Sequence, residues 1–139
     1  MEKYKVESDF EHLGLRCVVV MQSLGHRCGY VGVPKGHDLY EQNYDNVYFE
    51  VHGGLTYADN EKEYPVKSDL WWFGFDCAHY NDSYDLETAF NYGIISKELY
   101  DLRSKTSFIF FGAVMRSKEF CEEECRKLAR QIKEYGVKP

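Results

Sequence analysis

The chain has 139 residues, of which 44% are hydrophobic and 29% are charged, and its formal net charge is -6. This size and balance predict one compact domain over residues 1–139 and leave no room for a second. An acidic chain is poorly suited to polymeric DNA or RNA, because proteins hold those polymers largely through Lys and Arg at the phosphates. A small anionic ligand needs only a few local donors, so that class of partner stays open.

The sequence predicts a cytoplasmic protein with no membrane partner. Residues 1–10 are mostly charged or polar, and the longest apolar stretch, residues 108–115, is too short to cross a bilayer. The five cysteines are an odd number without a CxxC pair. We therefore expect reduced thiols buried in the core, rather than disulfides or a structural zinc site.

Two short apolar runs near the start of the chain predict buried strands. The first covers residues 15–21 and the second covers residues 29–33, with a turn at Ser23-Leu24-Gly25-His26 between them. Pro34 stops the second strand, and a polar loop over residues 37–46 follows.

Residues 47–52 alternate between apolar and polar side chains, which predicts a third strand. Phe49 and Val51 share its apolar side. Gly53-Gly54 then turns the chain into residues 55–57, in a hairpin or a tight corner.

The densest aromatic stretch of the chain is Trp71-Trp72-Phe73-Gly74-Phe75-Asp76-Cys77-Ala78-His79. It predicts a strand in which alternate side chains point to opposite faces. Phe73 and Phe75 lie on the core face. The other face carries Trp72, a gap at Gly74 and the Asp76 carboxylate, an arrangement typical of a ligand-binding surface.

The second half of the chain predicts more helix than strand. Residues 80–95 predict only a turn or a short helix. Ser96 predicts the cap of a helix that runs to about Ser104, with Leu99 and Leu102 facing inward. Residues 108–115 predict a further buried strand.

The last helix has the clearest pattern. Its apolar positions recur at steps of four and three, the spacing of one helical face: Cys121, Cys125, Leu128, Ile132 and Tyr135. Ser117 is its predicted N-cap and Gly136 marks its end. The elements together predict an α+β fold, in which a mostly antiparallel sheet of about five strands packs on this C-terminal amphipathic helix.

This fold gives the sheet two faces of different character. The face beneath the helix collects Val31, Val33, Phe49, Val51, Trp71, Phe73 and Phe75. The opposite face collects Tyr30, Tyr48, Glu50, His52, Trp72 and Asp76. We expect the second face to be a binding surface, provided that no slip or bulge changes the registers.

Three sequence blocks resemble a known family. They are Cys28-Gly29-Tyr30-Val31-Gly32-Val33-Pro34-Lys35-Gly36-His37, Val51-His52-Gly53-Gly54-Leu55-Thr56-Tyr57 and the tryptophan block given above. With a C-terminal Glu124-Cys125-x-x-Leu128-Ala129-x-Gln131-Ile132, they resemble small bacteriophage and prophage proteins that have no settled activity. The likeness covers most of the chain from Gly25 onward, apart from a larger insertion after His79. It implies a phage-type origin, and hence the host cell cytoplasm, but little chemistry.

Aromatic and cationic side chains suggest how a ligand would be held. Tyr30 and Trp72 are candidate stacking platforms for a base or a sugar ring, and Lys35 is a candidate cation for a phosphate. The chain has twelve tyrosines, more than a core of this size requires. The alternative is that this aromatic patch is buried between subunits, and we expect a homo-oligomer. Both readings are compatible with a ligand site between subunits.

The His-Gly-Gly corner is a second candidate part of the site. The flexible backbone of Gly53 and Gly54 can aim N–H groups at an anion, with the Thr56 hydroxyl close by and His52 at the strand end. The alternative is that the glycines only turn the chain and His52 only caps it.

Asp76 and His79 are a base with its orienting acid, or two metal ligands, or an Asx-type turn beside a surface imidazole. His37, after a Pro-Lys-Gly turn, extends them to a constellation of His37, His52, Asp76 and His79 that suits a divalent metal in principle. Spacing does not show that these residues meet, so the sequence assigns no metal and no cofactor.

Three functions follow from these observations. The first is binding of a small nucleotide-like ligand, which in a phage setting suggests sequestration of a host immune signal. The second is a small hydrolase or phosphodiesterase, with His52 as base, Asp76 as its orienting group and His79 as acid or metal ligand. The third is an inhibitor that binds a host defence enzyme through its acidic surface.

Overall fold

The computed structural model describes residues 4–106 and 113–135, and within them the fold is α+β, as predicted. One antiparallel sheet contains, in spatial order, β1 (Tyr4–His12), β2 (Leu15–Gln22), β3 (Arg27–Val33), β5 (Trp71–Asp76) and β4 (Tyr57–Asp59). The helices are α1 (Leu86–Asn91), α2 (Lys97–Thr106) and α3 (Lys118–Glu134). A two-residue parallel ladder joins β6 (Asp82–Ser83) to β7 (Val114–Met115).

The first three strands form a meander that the sequence predicted only in part. The predicted strands over residues 15–21 and 29–33 are confirmed as β2 and β3, and positive-φ Gly25 sits in the turn between them. β1 was not predicted. It is an edge strand whose side chains are partly exposed, so it lacks the apolar run that marks a buried strand.

One face of the sheet packs against α3, as expected. Its buried cluster contains Val31, Val33, Phe49, Phe73, Phe75 and Cys77, together with Cys121, Cys125, Leu128, Ala129 and Ile132 of the helix. Val51 and Trp71 pack at its margin. The Ser117 side chain accepts a hydrogen bond from the Phe120 N–H, which confirms the predicted N-cap.

All five cysteines are free and buried, which confirms their assignment to the core. Burial raises the pKa of the Cys17 and Cys28 thiols to about 12. These groups are therefore protonated near neutral pH, and a protonated thiol is a poor nucleophile and a poor metal ligand.

The opposite face of the sheet is also buried, and the prediction of a binding surface there is wrong. Trp72 is 0% exposed and Tyr30 is 4% exposed, because residues from β4 and the loop before β5 cover them. The Tyr30 hydroxyl is hydrogen-bonded to Tyr64, and Trp72 Nε1 donates to Ser68 Oγ at 3.0 Å. A Cβ at Gly74 would lie 2.5 Å from the Tyr30 ring, so the gap beside Trp72 is already filled.

Other expectations were wrong for the second half of the chain. Leu99 and Leu102 of α2 are exposed, although Ser96 caps that helix as predicted. The predicted strand over residues 108–115 lies partly outside the described residues, and its described end, β7, is exposed rather than buried. Gly136 also lies outside them. No helix among the described residues combines the length and the apolar character that a membrane crossing requires.

Candidate functional site

The segment that carries His52 is not the strand that its alternation predicted. Residues 47–52 run along α3, and side chains of the helix supply the hydrogen bonds that a neighbouring strand would have supplied. Gln131 Oε1 accepts from the Glu50 N–H at 2.7 Å, and Gln131 Nε2 donates to the Glu50 carbonyl at 2.9 Å. Glu124 Oε1 accepts from the His52 N–H at 2.8 Å. Phe49 is buried, as the alternation predicted, but side chains of α3 rather than a neighbouring strand form hydrogen bonds with the backbone of Glu50 and His52.

His52 and His79 converge on Asp82, a residue that the sequence did not single out. His52 Nε2 lies 3.0 Å from both carboxylate oxygens of Asp82, and His79 Nδ1 lies 3.3 Å from Oδ2. The two imidazole rings meet edge to face, with centroids 5.5 Å apart. The structure thus brings together two of the three predicted catalytic residues around a different acid.

The Asp82 side chain is 0% exposed and fully engaged. Besides the two imidazoles, it accepts from Arg116 Nε at 2.8 Å and from the His79 N–H at 3.0 Å. Burial alone raises the pKa of this carboxyl, but the hydrogen bonds from Arg116, His52 and the His79 backbone lower it to about 2. Asp82 is therefore ionised at neutral pH, and it anchors the cluster as a fixed negative charge.

This ionisation predicts how stability depends on pH. The folded pKa of Asp82 lies below its ordinary value of 3.8, so its stabilising effect is complete above about pH 5 and is lost as the pH falls toward 2. A shift of this size corresponds to about 2–3 kcal/mol of unfolding free energy. We expect the native protein to have a higher free energy of urea unfolding than Asp82→Asn. This difference in free energy should be largest at pH 6 and should shrink below pH 4. A difference that stays constant with pH would contradict the ionised state of Asp82.

The His-Gly-Gly corner forms a turn that is shaped around His79. Gly53 and Gly54 both have positive φ, at 69° and 81°, and the Gly54 N–H donates to the Val51 carbonyl at 2.9 Å. A Cβ at Gly53 would lie 2.1 Å from the His79 ring. Glycine is required here because the imidazole lies directly against the backbone. The Gly54 N–H is used within the turn, which leaves the anion-binding prediction for this corner without that donor.

Asp76 does not have the role that the sequence gave it. Its Oδ1 accepts from the Ala78 N–H at 3.1 Å and lies 3.8 Å from His79 Nδ1. This is the Asx-type turn that was the alternative reading, and Asp82 replaces Asp76 as the acid that orients the histidines.

The other predicted site residues are dispersed. Tyr30 and Trp72 lie in the core on the far face of the sheet and offer no ring face to a ligand. His37 Nδ1 accepts from the Leu39 N–H at 3.0 Å, in a turn of its own. Lys35 is exposed after β3, and the Thr56 N–H donates to the Gly74 carbonyl beside β5. None of these five residues belongs to the cluster of His52, His79 and Asp82.

Beside the cluster lies an open cleft of about 620 Å³ between residues 48–54 and α3. Its polar and aromatic lining includes Tyr48, Glu50, His52, Arg116, Glu124 and Lys127. Tyr48 is 83% exposed, while Phe120 packs against both the His52 ring, at 5.3 Å, and the Arg116 guanidinium, at 5.2 Å. Of these lining residues, sequence reasoning identified only His52 as a site residue. It grouped Tyr48 and Glu50 with His52 on the expected binding face without naming them as site residues, and it missed Arg116, Glu124 and Lys127.

No protein family, no curated protein and no solved structure matches the chain significantly.

Proposed function

We propose that this protein binds a small nucleotide-like ligand in the cleft beside His52. The observation that carries the proposal is that one cleft combines the exposed ring of Tyr48 with the cationic groups of Arg116 and Lys127. An aromatic ring stacks on a base, and guanidinium or ammonium groups attract a phosphate. A volume of about 620 Å³ falls in the range of small-molecule sites.

The acidic groups of the cleft shape the kind of ligand that fits. Lys127 Nζ lies 3.2 Å from Glu124 Oε2, and Arg116 is held by Asp82, so neither cation is free of a carboxylate. Glu50 is exposed at the same cleft. A bare inorganic anion gains little from such a balanced surface. A nucleotide has phosphate oxygens for the cations and base N–H groups that can donate to the carboxylates, so it suits both.

The role proposed for this binding is sequestration. The resemblance of the three sequence blocks to phage proteins suggests a host cell in which immune signalling nucleotides are the ligands worth removing. A sequestering protein needs affinity without turnover, and a stacking platform beside paired charges supplies it. Oligomerisation remains a prediction. It is tested by measuring the molar mass with light scattering on a sizing column.

A nucleotide panel tests the proposal directly. The purified protein is incubated with cyclic and linear nucleotides, separated from free ligand, heat-denatured, and the released material is analysed. We expect at least one nucleotide to be retained and recovered intact. Retention of no member of the panel would contradict the proposal and favour an inhibitor that binds a host protein instead.

Matched variants locate the ligand. Tyr48→Ala is expected to weaken retention about fivefold or more, since stacking contributes about 1–3 kcal/mol per base. Tyr80→Ala is its control, because Tyr80 is equally exposed, at 86%, but does not line the cleft. Lys127→Ala is compared in the same way with Lys133→Ala, which lies on the same helix outside the cleft. Equal effects of a variant and its control would place the ligand elsewhere.

Hydrolysis of the ligand is the second candidate function. It is favoured by the contact of His52 with a buried, ionised Asp82, the arrangement that orients an imidazole for proton transfer. The same panel separates the two functions, because an enzyme releases altered nucleotide while a sequestering protein releases it intact.

A further inference from the structure

We propose that His52, His79 and Asp82 bind one divalent transition-metal ion of the Zn²⁺ class. The three residues each offer one donor atom, and these atoms lie within 4.8 Å of one another. This is the only such group found in the described part of the chain. The site shares His52 with the cleft proposed to bind a nucleotide, but it does not rest on that proposal, because its test measures the metal alone.

Two of the three separations between donor atoms match a tetrahedral ion. Zinc is bound by imidazole nitrogens and carboxylate oxygens at roughly 2.0–2.2 Å, so two ligand atoms of a tetrahedral site lie about 3.3 Å apart. His52 Nε2 lies 3.0 Å and His79 Nδ1 lies 3.3 Å from Asp82 Oδ2. Both pairs are close to the required separation. The donor nitrogens of the two imidazoles lie within 4.8 Å of each other, so coordination requires these two rings to move closer together.

Groups around the cluster hold the ligands as outer partners of a metal site do. Arg116 Nε donates to Asp82 Oδ1, which leaves Oδ2 directed between the two histidines. The His79 N–H donates to Oδ2 itself at 3.0 Å, which fixes the position of this oxygen. Hydrogen bonds that orient a ligating carboxylate are a regular feature of metal centres.

The nearby charges are compatible with a divalent cation. Arg116 adds one positive charge, but Asp76 lies 3.8 Å from His79 Nδ1, and Glu124 accepts from the His52 N–H. Together with Asp82, these residues supply three carboxylates around the cluster. Lys127 pairs with Glu124 at 3.2 Å and Arg116 pairs with Asp82, so the three carboxylates outnumber the two cations by one charge.

The donor set points to the class of metal. Two imidazoles with one carboxylate suit Zn²⁺, Fe²⁺, Co²⁺ or Ni²⁺, whereas Mg²⁺ and Ca²⁺ prefer sites made of oxygen ligands alone. Three protein ligands also leave a coordination position for water or substrate, which distinguishes this site from a closed structural one.

The test begins with protein treated with EDTA and dialysed free of the chelator. Titration with Co²⁺, followed by its visible ligand-field absorption, and titration with Zn²⁺ in a calorimeter should both give one ion per chain. A large excess of Mg²⁺ should not displace the Co²⁺. Absence of stoichiometric Co²⁺ and Zn²⁺ binding would overturn the proposal.

Two variants and a control assign the ligands. His79→Gln and His52→Gln are each expected to weaken binding at least about tenfold. His12→Gln is the control, because His12 is partly buried at the end of β1 and lies outside the cluster. Circular dichroism and urea unfolding check that each variant is folded. If His52→Gln does not fold, His79→Gln carries the test, because the His79 side chain is partly exposed. Unchanged affinity in folded His79→Gln would overturn the assignment.

Discussion

Replacing Trp72 with alanine is expected to lower the free energy of unfolding by about 3–5 kcal/mol, which is a large part of the stability of a domain of this size. The side chain is 0% exposed and packs with Val18, Val20 and Tyr30 on the face of the sheet away from α3. The truncation leaves a cavity and removes one of the two hydrogen-bond donors to Ser68 Oγ, the other being the Leu70 N–H. Urea unfolding followed by the fluorescence of the remaining tryptophan measures the loss.

The neighbouring tryptophan is the natural control for this prediction. Trp71 is only partly buried and its Nε1 donates to the Gln42 carbonyl at 2.9 Å, so Trp71→Ala should be clearly less destabilising. Trp72→Phe retains part of the packing and should fall between the two. A Trp72→Ala protein that keeps its stability but no longer retains a ligand would restore the original reading of Trp72 as a stacking platform.

Replacing Arg27 with methionine is expected to cost about 3–5 kcal/mol, because it leaves two buried carboxylates without their counterion. Arg27 Nε lies 2.6 Å from Glu7 Oε1 and Nη2 lies 3.3 Å from Asp85 Oδ2, and all three side chains are at most 14% exposed. Arg27 Nη1 also donates to the Arg116 carbonyl, so the same change is expected to loosen the residue that anchors Asp82.

Arg16 gives a matched comparison on the adjacent strand. It pairs with Asp9 at 2.7 Å, but their side chains are 39% and 35% exposed, so Arg16→Met should change stability by no more than about 1 kcal/mol. The free energies of unfolding are measured in urea at pH 7. Equal losses in the two variants would show that burial of the Arg27 ion pairs does not increase their contribution to stability.

Local pattern was a good guide wherever one side of an element is buried against one partner. The spacing of Cys121, Cys125, Leu128 and Ile132 predicted α3 and its buried face, and the runs at residues 15–21 and 71–77 predicted two central strands. Hydrophobic periodicity depends on which face of an element meets the core. It can therefore be recognised without knowing which other element covers that face.

Pattern misled where the partner was unexpected. The alternation of residues 47–52 is genuine, but Glu124 and Gln131 of α3 satisfy that backbone instead of a strand. The polar face of β5 looked open because the residues that cover it come from the loop before Trp71. The local sequence does not indicate what the helix side chains will bind or which face the loop will cover.

The sequence by itself determined the α+β class, the helix that covers one face, the cysteines of the core, and His52 and His79 as chemically interesting side chains. Only the tertiary structure decided that Asp82 rather than Asp76 joins these histidines, that Arg116 holds Asp82, and that Trp72 is buried. His52 and Asp82 are 30 residues apart, and Asp82 and Arg116 are 34 apart. Hydrophobic periodicity reports burial over one or two turns of chain, whereas contacts at such separations depend on how whole elements pack.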